Sequence, residues 1–351
     1  MIFVSPLTTE RESDYASLLL EDPRSLIYST LEFRAFLLEA TGGRGEYLIA
    51  LDEAGNLLGA LPQVRMAVSG IGDVINSLPW YGSHGGCVLA RGARDGVRAA
   101  LLEAYRKALD SPSILSATMI NSPFEVAYQD TYLSRLAPRI VDHRIGQITE
   151  LPKHGPDDAK NLEGVFAQKT RNLVRKALRQ GFVVARSSDD KAWNFLYDVH
   201  RENLDAIGGR PKPKEHFSAL RRCIPEDWQQ LSIAYLDGKP VAALLLLYFN
   251  NTVEYFTPVI CSEYRSLQPL SFLIWNAMLD AIQRGFRWWN WGGTWEIQRS
   301  LHHFKAGWGA KDFPYAYFVN ISDSNLRRLR DDRDLIIGSF PYFYIYPFDR
   351  L

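Results

Sequence analysis

Cysteine is scarce in this chain of 351 residues, and the three present are Cys87, Cys223 and Cys261. They lie far apart, form no CxxC and match no zinc spacing, which excludes a disulfide framework and suits a reducing compartment. Excess charge is missing as well. Lys and Arg total 40 and Asp and Glu total 40, so there is no globally basic footprint for nucleic acid. Any anionic partner must be held by a local patch. Long apolar runs are also absent. The longest, Val241 to Phe249, falls far short of the ~20 residues of a membrane helix and reads as a buried strand. The opening Met-Ile-Phe-Val-Ser-Pro, followed by acidic residues, does not read as a secretory leader, and the GxxxxGK[ST] phosphate loop does not occur. The expectation is a cytoplasmic protein without a membrane span. Its length exceeds what one hydrophobic core usually fills, so two domains are expected.

What is present is a repeated order of elements. Residues 31–40 read as a helix, followed by the β-rich EYLIALD, a turn at Glu53-Ala54-Gly55-Asn56, and LLGALPQVRMAV. A turn from Ser69 to Asp73 leads to VINSLPW, and a Gly-rich loop from Tyr81 to Gly86 precedes a helix from about Asp95 to Leu109 and the strand SILSATMIN. The second half repeats this: a helix around His216 to Arg222, QLSIAYLD, PVAALLLLYF, VEYFTPVI, a helix from Pro269 to Arg284, and FRWWNW. In that helix Leu270, Leu273, Ile274, Ala277, Met278 and Ala281 follow i, i+3, i+4 spacing. Pro269 suits its first position and Gly285 its C-terminal cap. The polar connection Leu151 to Asp158 is the expected boundary between domains 1–155 and 156–351, in an α/β fold with mixed sheets, one large mixed sheet being the alternative.

Three segments narrow the reading: the helix 160–181, FRWWNWGGT, and HFKAGWGAKDFPYAYF at 303–318. In this order they resemble the FemABX aminoacyltransferases and related acyltransferases of the GNAT superfamily. LPWYGSHGG is similar to the Gly-rich segment of that family's first domain, and the resemblance spans most of residues 25–320. It implies two tandem GNAT-like domains that transfer an acyl or aminoacyl group to an amine. It implies no metal and no tightly bound cofactor, with acyl-CoA or aminoacyl-tRNA as co-substrate. The second domain, 156–351, would carry the donor site.

Phe304 and Lys305 match the Phe-Lys pair near the family's donor site. A fixed cation there would stabilise charge developing on the carbonyl oxygen, or neutralise a donor phosphate; one exposed lysine among many is the plain alternative. Gly292, Gly293 and Thr294 follow a strand and read as opening a short helix, where backbone N–H groups favour anions. Glu254, Tyr255 and Glu296 are the candidate proton acceptors for the attacking amine. Arg171, Arg175 and Arg179 recur along one helix face and, with Arg210, Lys212 and Lys214, could grip phosphate or form a solvated basic face. Tyr81 and His84 sit in a glycine-rich loop that suits ligand contact. Adjacent His302 and His303 suit no metal.

One departure stands out. Acetyl-CoA-using GNAT enzymes carry a Q/RxxGxG/A loop, whereas this chain has Tyr264-Arg265-Ser266-Leu267-Gln268-Pro269. Two readings follow. One is an N-acyltransferase acting on an amino group of a phosphorylated, sugar-linked or peptidoglycan-type precursor. The other is a duplicated GNAT-like module that binds a sugar nucleotide or polysaccharide precursor without catalysis.

Overall fold

A polar segment and a proline divide what the sequence presents as one long strand. The computed structural model describes residues 1–79, 84–93 and 95–351. In it the chain begins with strand β1 (Phe3–Pro6), helices α1 (Glu12–Glu21) and α2 (Leu31–Thr41), and strands β2 (Arg44–Gly45) and β3 (Leu48–Leu51). LLGALPQVRMAV becomes β4 (Leu57–Leu61) and β5 (Val64–Val68), broken at Pro62 and Gln63. Proline has no N–H for a ladder, and the strands on either side join different sheets. Then come β6 (Gly72–Asn76), β7 (Val88–Leu89), α3 (Asp95–Ala108), β8 (Ile114–Ile120), α4 (Gln129–Leu136) and β9 (Ile140–Glu150), and β15 (Lys311–Asn320) returns later in the chain. One sheet runs β1-β3-β4-β7, and another has the order β15-β8-β6-β5-β2 within this unit.

The chain continues through α5 (Asp158–Val165), α6 (Gln168–Leu178), β10 (Val183–Arg186), α7 (Asp190–Asp205), α8 (Lys214–Cys223) and the meander β11 (Gln229–Leu236), β12 (Lys239–Phe249), β13 (Thr252–Ile260). Helix α9 (Pro269–Gln283), β14 (Trp288–Thr294), α10 (Arg299–Gly307), β15 (Lys311–Asn320), α11 (Asp323–Asp331) and α12 (Arg333–Ser339) complete it. Two compact units result: Met1–Ile145 together with Phe313–Leu351, and Gly146–Asp312. This differs from two contiguous halves meeting near residue 155. The polypeptide passes between units inside β9 and again inside β15, and residues 313–351 fold with the first unit.

In the second unit Val241 to Phe249 are buried without exception, which is why this central strand reads as an unbroken apolar run. Helix α9 lays Leu273, Ile274, Ala277, Met278 and Ala281 into one cluster with Trp289, Trp291 and Trp308. Each leucine, isoleucine or methionine among them contributes roughly 2 kcal/mol by leaving water, and each alanine less than half of that. The helix ends as its sequence suggests. Gly285 adopts φ +83°, its N–H bonds to the carbonyl of Ile282, and the Phe286 N–H reaches back to Ala281.

The expected single helix 160–181 is two helices. Phe166 and Ala167 are extended (ψ 148° and 152°), and Phe166 drives its ring edge-on against Trp275 and Trp308. Burying that aromatic outweighs the hydrogen bonds of a continuous helix. The glycines of the GWG stretch explain themselves here. A Cβ on Gly309, at φ +79°, would lie 2.8 Å from the Val165 carbonyl, and one on Gly307 would lie 2.6 Å from Thr170 Oγ1.

Candidate active site

The site is built where two parallel strands part. β13 and β14 pair through Thr252–Trp288, Val253–Trp289 and Glu254–Asn290, after which β13 continues to Ile260 and β14 to Thr294 outside that ladder. On its other side β13 carries a bulge. Leu245 faces Thr257 and Leu246 faces Tyr255, leaving Phe256 as the extra residue. A bulge bends a strand and increases its twist, and bulges recur beside functional sites because they re-aim side chains.

Strand alternation sorts the side chains. Trp289 and Trp291 belong to the indole cluster, and Tyr255 packs on both, with ring centroids 6.2 and 4.8 Å away. Burial pushes its phenol well up, so Tyr255 is a proton donor rather than an acceptor. Glu254 and Asn290, one residue over on each strand, occupy the face that carries no residue of that cluster and are both buried. The carboxyl of Glu254 thus lies at the last rung before the strands separate. Glu296, by contrast, is exposed in the turn between β14 and α10.

Gly292, Gly293 and Thr294 close β14 and are not the start of α10, which begins at Arg299. Their conformation has a different cause. The Asn290 Oδ1 accepts the Gly292 N–H at 3.0 Å, and Gly292 takes φ +72°. A side-chain acceptor two residues back turns the strand, and glycine supplies the left-handed dihedral.

Lys305 reaches this turn from α10. It is buried, and its Nζ donates to the carbonyls of Gly292 (3.3 Å) and Gly293 (3.1 Å) and to Thr294 Oγ1 (2.7 Å). Burial lowers its pKa to about 8. Thr294 in turn donates to Gln147 Oε1 at 2.9 Å, and Gln147 Nε2 donates to the His302 carbonyl. α10, the end of β14 and Gln147 of β9 are thereby one network. Phe304 is partly exposed and rests edge-on against Trp291 and near Trp308. His302 Nε2 meets the Asp312 carboxylate at 2.9 Å, a contact that fixes the ring.

A second lysine lies along β13. Lys212 Nζ stands 3.3 Å from Thr257 Oγ1 and 4.4 Å from the Phe256 ring centroid. Those consecutive residues would point to opposite faces of a regular strand, and the bulge lets one ammonium meet both. Burial lowers Lys212 to about 8 and His200, whose Nε2 accepts the Lys212 N–H, to about 4. Arg210, two residues before, is exposed.

The arginine row has a local task. Arg171 donates to the Phe166 carbonyl at 2.6 Å and to Gln168 Oε1, closing the break between α5 and α6. Arg175 pairs with Glu163 at 2.6 Å on the surface. Tyr81 lies outside the described residues. His84 belongs to the first unit, buried between the edges of Tyr28 and Tyr315.

Sequence reasoning passed over Asn290 and the first unit's cleft. The cleft has a volume of about 670 Å³, and its wall includes Arg98, Glu125 and Tyr128. Arg98 stacks 3.5 Å over Tyr128 and stands 3.4 Å from Glu125, while burial pushes the Glu125 carboxyl up to about 7 despite Arg98. The signal was present for both. A polar residue between two tryptophans on a strand must face away from them, and Ser122 with Glu125 is a capping box whose glutamate is held from both sides.

Residues 165–313 match the model of the acetyltransferase (GNAT) domain family. The solved structure of FemX superposes with a TM-score of 0.72 over 93% of this chain and 99% of its own, at 14% identity. A C-terminal domain (DUF2156) assigned to a lysylphosphatidylglycerol synthetase of Agrobacterium fabrum gives 0.56 at 14% identity, covering 96% and 99%. A tandem GNAT protein from the clavulanic acid biosynthesis pathway gives 0.55 at 12% identity, covering 91% and 98%. No curated protein matches the sequence. The fold is therefore the mixed α/β fold of the GNAT superfamily, in the FemX-like two-unit form. Among the described residues, no helix is long and apolar enough to cross a membrane.

Proposed function

We propose that this FemABX-like chain of the GNAT superfamily is an N-acyltransferase that moves an acyl or aminoacyl group from an activated donor to an amino group of a sugar-linked or peptidoglycan-type precursor. The observation that carries the reading is the opening of β13 from β14 just beyond Glu254 and Asn290, beside the bulge at Phe256. Strand edges that leave their ladder inside a sheet present backbone N–H and C=O groups to a ligand. Glu254 would take the proton that the attacking amine loses. Lys305 would hold the Gly292–Thr294 turn that bounds the opening. The donor would be an acyl-CoA or an aminoacyl-tRNA, used as co-substrate in the cytoplasm, with no metal required.

The experiment is a transfer assay read by mass spectrometry. Acetyl-CoA, longer acyl-CoAs and aminoacyl-tRNA are each paired with UDP-amino sugars and a UDP-linked muramyl pentapeptide. An acceptor mass increased by the acyl group, abolished in Glu254→Gln, is the expected result. Thermal stabilisation by a UDP-sugar without any product from any pairing would favour a binding module instead. One feature favours that second reading. The segment Ser262–Leu267 before α9 is a short 3₁₀ turn without glycine, ending on Gln268 at φ +68°. Within it the Tyr264 N–H bonds to the Cys261 carbonyl and the Gln268 N–H to the Arg265 carbonyl, so those amides are not offered to a pyrophosphate.

A further inference from the structure

We infer that Asn290 is a substrate-binding residue whose side-chain NH₂ group donates a hydrogen bond to the carbonyl oxygen of the acyl group in transfer, an inference that rests on the acyl-transfer reading above. The argument begins with the orientation of the amide. Its Oδ1 accepts the Gly292 N–H at 3.0 Å. A backbone N–H needs an acceptor, so the oxygen and not the NH₂ must occupy that position, and the flip is settled by the chain itself. Nδ2 is consequently aimed the other way. It is fully buried and meets no acceptor among the described residues.

A buried donor without an acceptor has lost its hydration without replacement, and native proteins rarely keep one without a reason. Replacing it by an apolar residue would remove that cost, whereas a ligand oxygen would satisfy it. Its location selects the ligand atom. Asn290 is the last residue of β14 paired with β13, directly opposite Glu254 and on the same face. One rung therefore offers an N–H donor and a carboxylate side by side. Those are the two groups that amine acylation needs. As the amine nitrogen forms its bond to the acyl carbon, the carbonyl π pair moves onto oxygen, where the Asn290 N–H donates to it. The ammonium proton passes to Glu254. Collapse of the tetrahedral species re-forms the C=O and breaks the bond to the leaving thiolate or ribose oxygen, which receives the proton. The products are the N-acylated acceptor and the free thiol or alcohol.

The Gly292 bond also explains why the donor would be preorganised. The same amide that kinks the strand is locked by the kink, so no rotation is needed when charge develops on the ligand oxygen.

The test uses the full-length chain with Asn290→Asp and Asn290→Ala. Aspartate keeps the acceptor for Gly292 and loses the NH₂ donor. Alanine loses both and introduces no charge beside Glu254. With the donor and acceptor pair that the wild type turns over, both variants should lose about 100-fold in kcat while KM for the donor changes less than about threefold. Cooperative melting in Asn290→Asp should be retained. Wild-type kcat in either variant overturns the inference and leaves the acyl-transfer reading standing. So does loss of activity matched by loss of cooperative melting in both variants, which assigns Asn290 to the kink alone. A wild type that acylates no acceptor with acetyl-CoA, longer acyl-CoAs or aminoacyl-tRNA overturns both.

Discussion

The Lys305 ammonium donates to the Thr294 hydroxyl at 2.7 Å, joining the last turn of α10 to the last residue of β14. With the carbonyls of Gly292 and Gly293 as its other acceptors, all three donors of the ammonium have partners within the protein. A lysine so held acts on the shape of the glycine turn. Lys305→Ala should lower turnover on the order of 100-fold, with a smaller change in donor affinity. It should also lower stability by about 2 kcal/mol, since two carbonyls and a hydroxyl lose their donor. Lys305→Arg should rescue only in part, because a planar fork cannot meet three acceptors grouped around a point. Steady-state kinetics and thermal melts on the same preparations separate the two effects.

Glu125 gives the first unit a pH dependence of defined sign. Its carboxyl binds a proton up to about 7 in the folded chain, against an ordinary value of 4.5. Between those limits the folded state holds more protons than the unfolded state, so this group's contribution to stability falls as pH rises from about 4.5 to 7. Glu125→Gln should flatten that slope in urea melts collected across the interval. The Tyr132 hydroxyl would still have an acceptor in the amide oxygen.

Arg171 and Arg175 should separate in a stability measurement. Arg171→Ala removes charge-assisted bonds to the Phe166 carbonyl and Gln168, and should cost about 1.5–3 kcal/mol. Arg175→Ala breaks an exposed pair with Glu163 and should cost less than about 1 kcal/mol. Neither change should weaken acceptor binding beyond about twofold in calorimetric titrations, since both guanidinium groups serve the α5–α6 junction.

Gly309→Ala is expected to be the most damaging single methyl in the second unit. The added carbon would meet the Val165 carbonyl at 2.8 Å and its Cγ1 at 2.2 Å, on a backbone at φ +79° that alanine resists. Overpacking and strain of this kind add to about 3 kcal/mol or more. Gly292→Ala, at φ +72° with open space around the new carbon, should cost only about 1 kcal/mol. Chemical denaturation of the two variants checks the contrast.

Much of the second unit could be read directly from residues. Periodicity located α9, a proline and a glycine marked its ends, and an unbroken apolar run located β12. These are local signals, written within a few turns of chain. The break at Phe166 was invisible because only the distant rings of Trp275 and Trp308 reward it. The Gly-Gly-Thr turn was legible as a turn, yet its cause is a side chain two residues earlier, and so it resembled a helix start. The arginine row was legible as a row, but the carbonyls and the Glu163 side chain that engage it exist only once α5 and α6 have folded back. Nothing local in residues 313–351 says that they complete the first unit. That assignment depends on Phe318 and Ala316 entering a core with Met119 and Tyr132.

The return of the chain at Phe313 also sets an order of events during synthesis. Residues 146–312 have all left the ribosome while the first unit still lacks its final strand and helices, because those lie in the segment ending at Leu351. The usual vectorial sequence, N-terminal domain first, is therefore reversed: the unit begun second is the first that can close its core. Until the last residues emerge, Met119 and Tyr132 lack the strand that covers them. A nascent chain held on the ribosome with Asp312 just outside the exit tunnel should resist protease across 146–312 while being cut within 1–145.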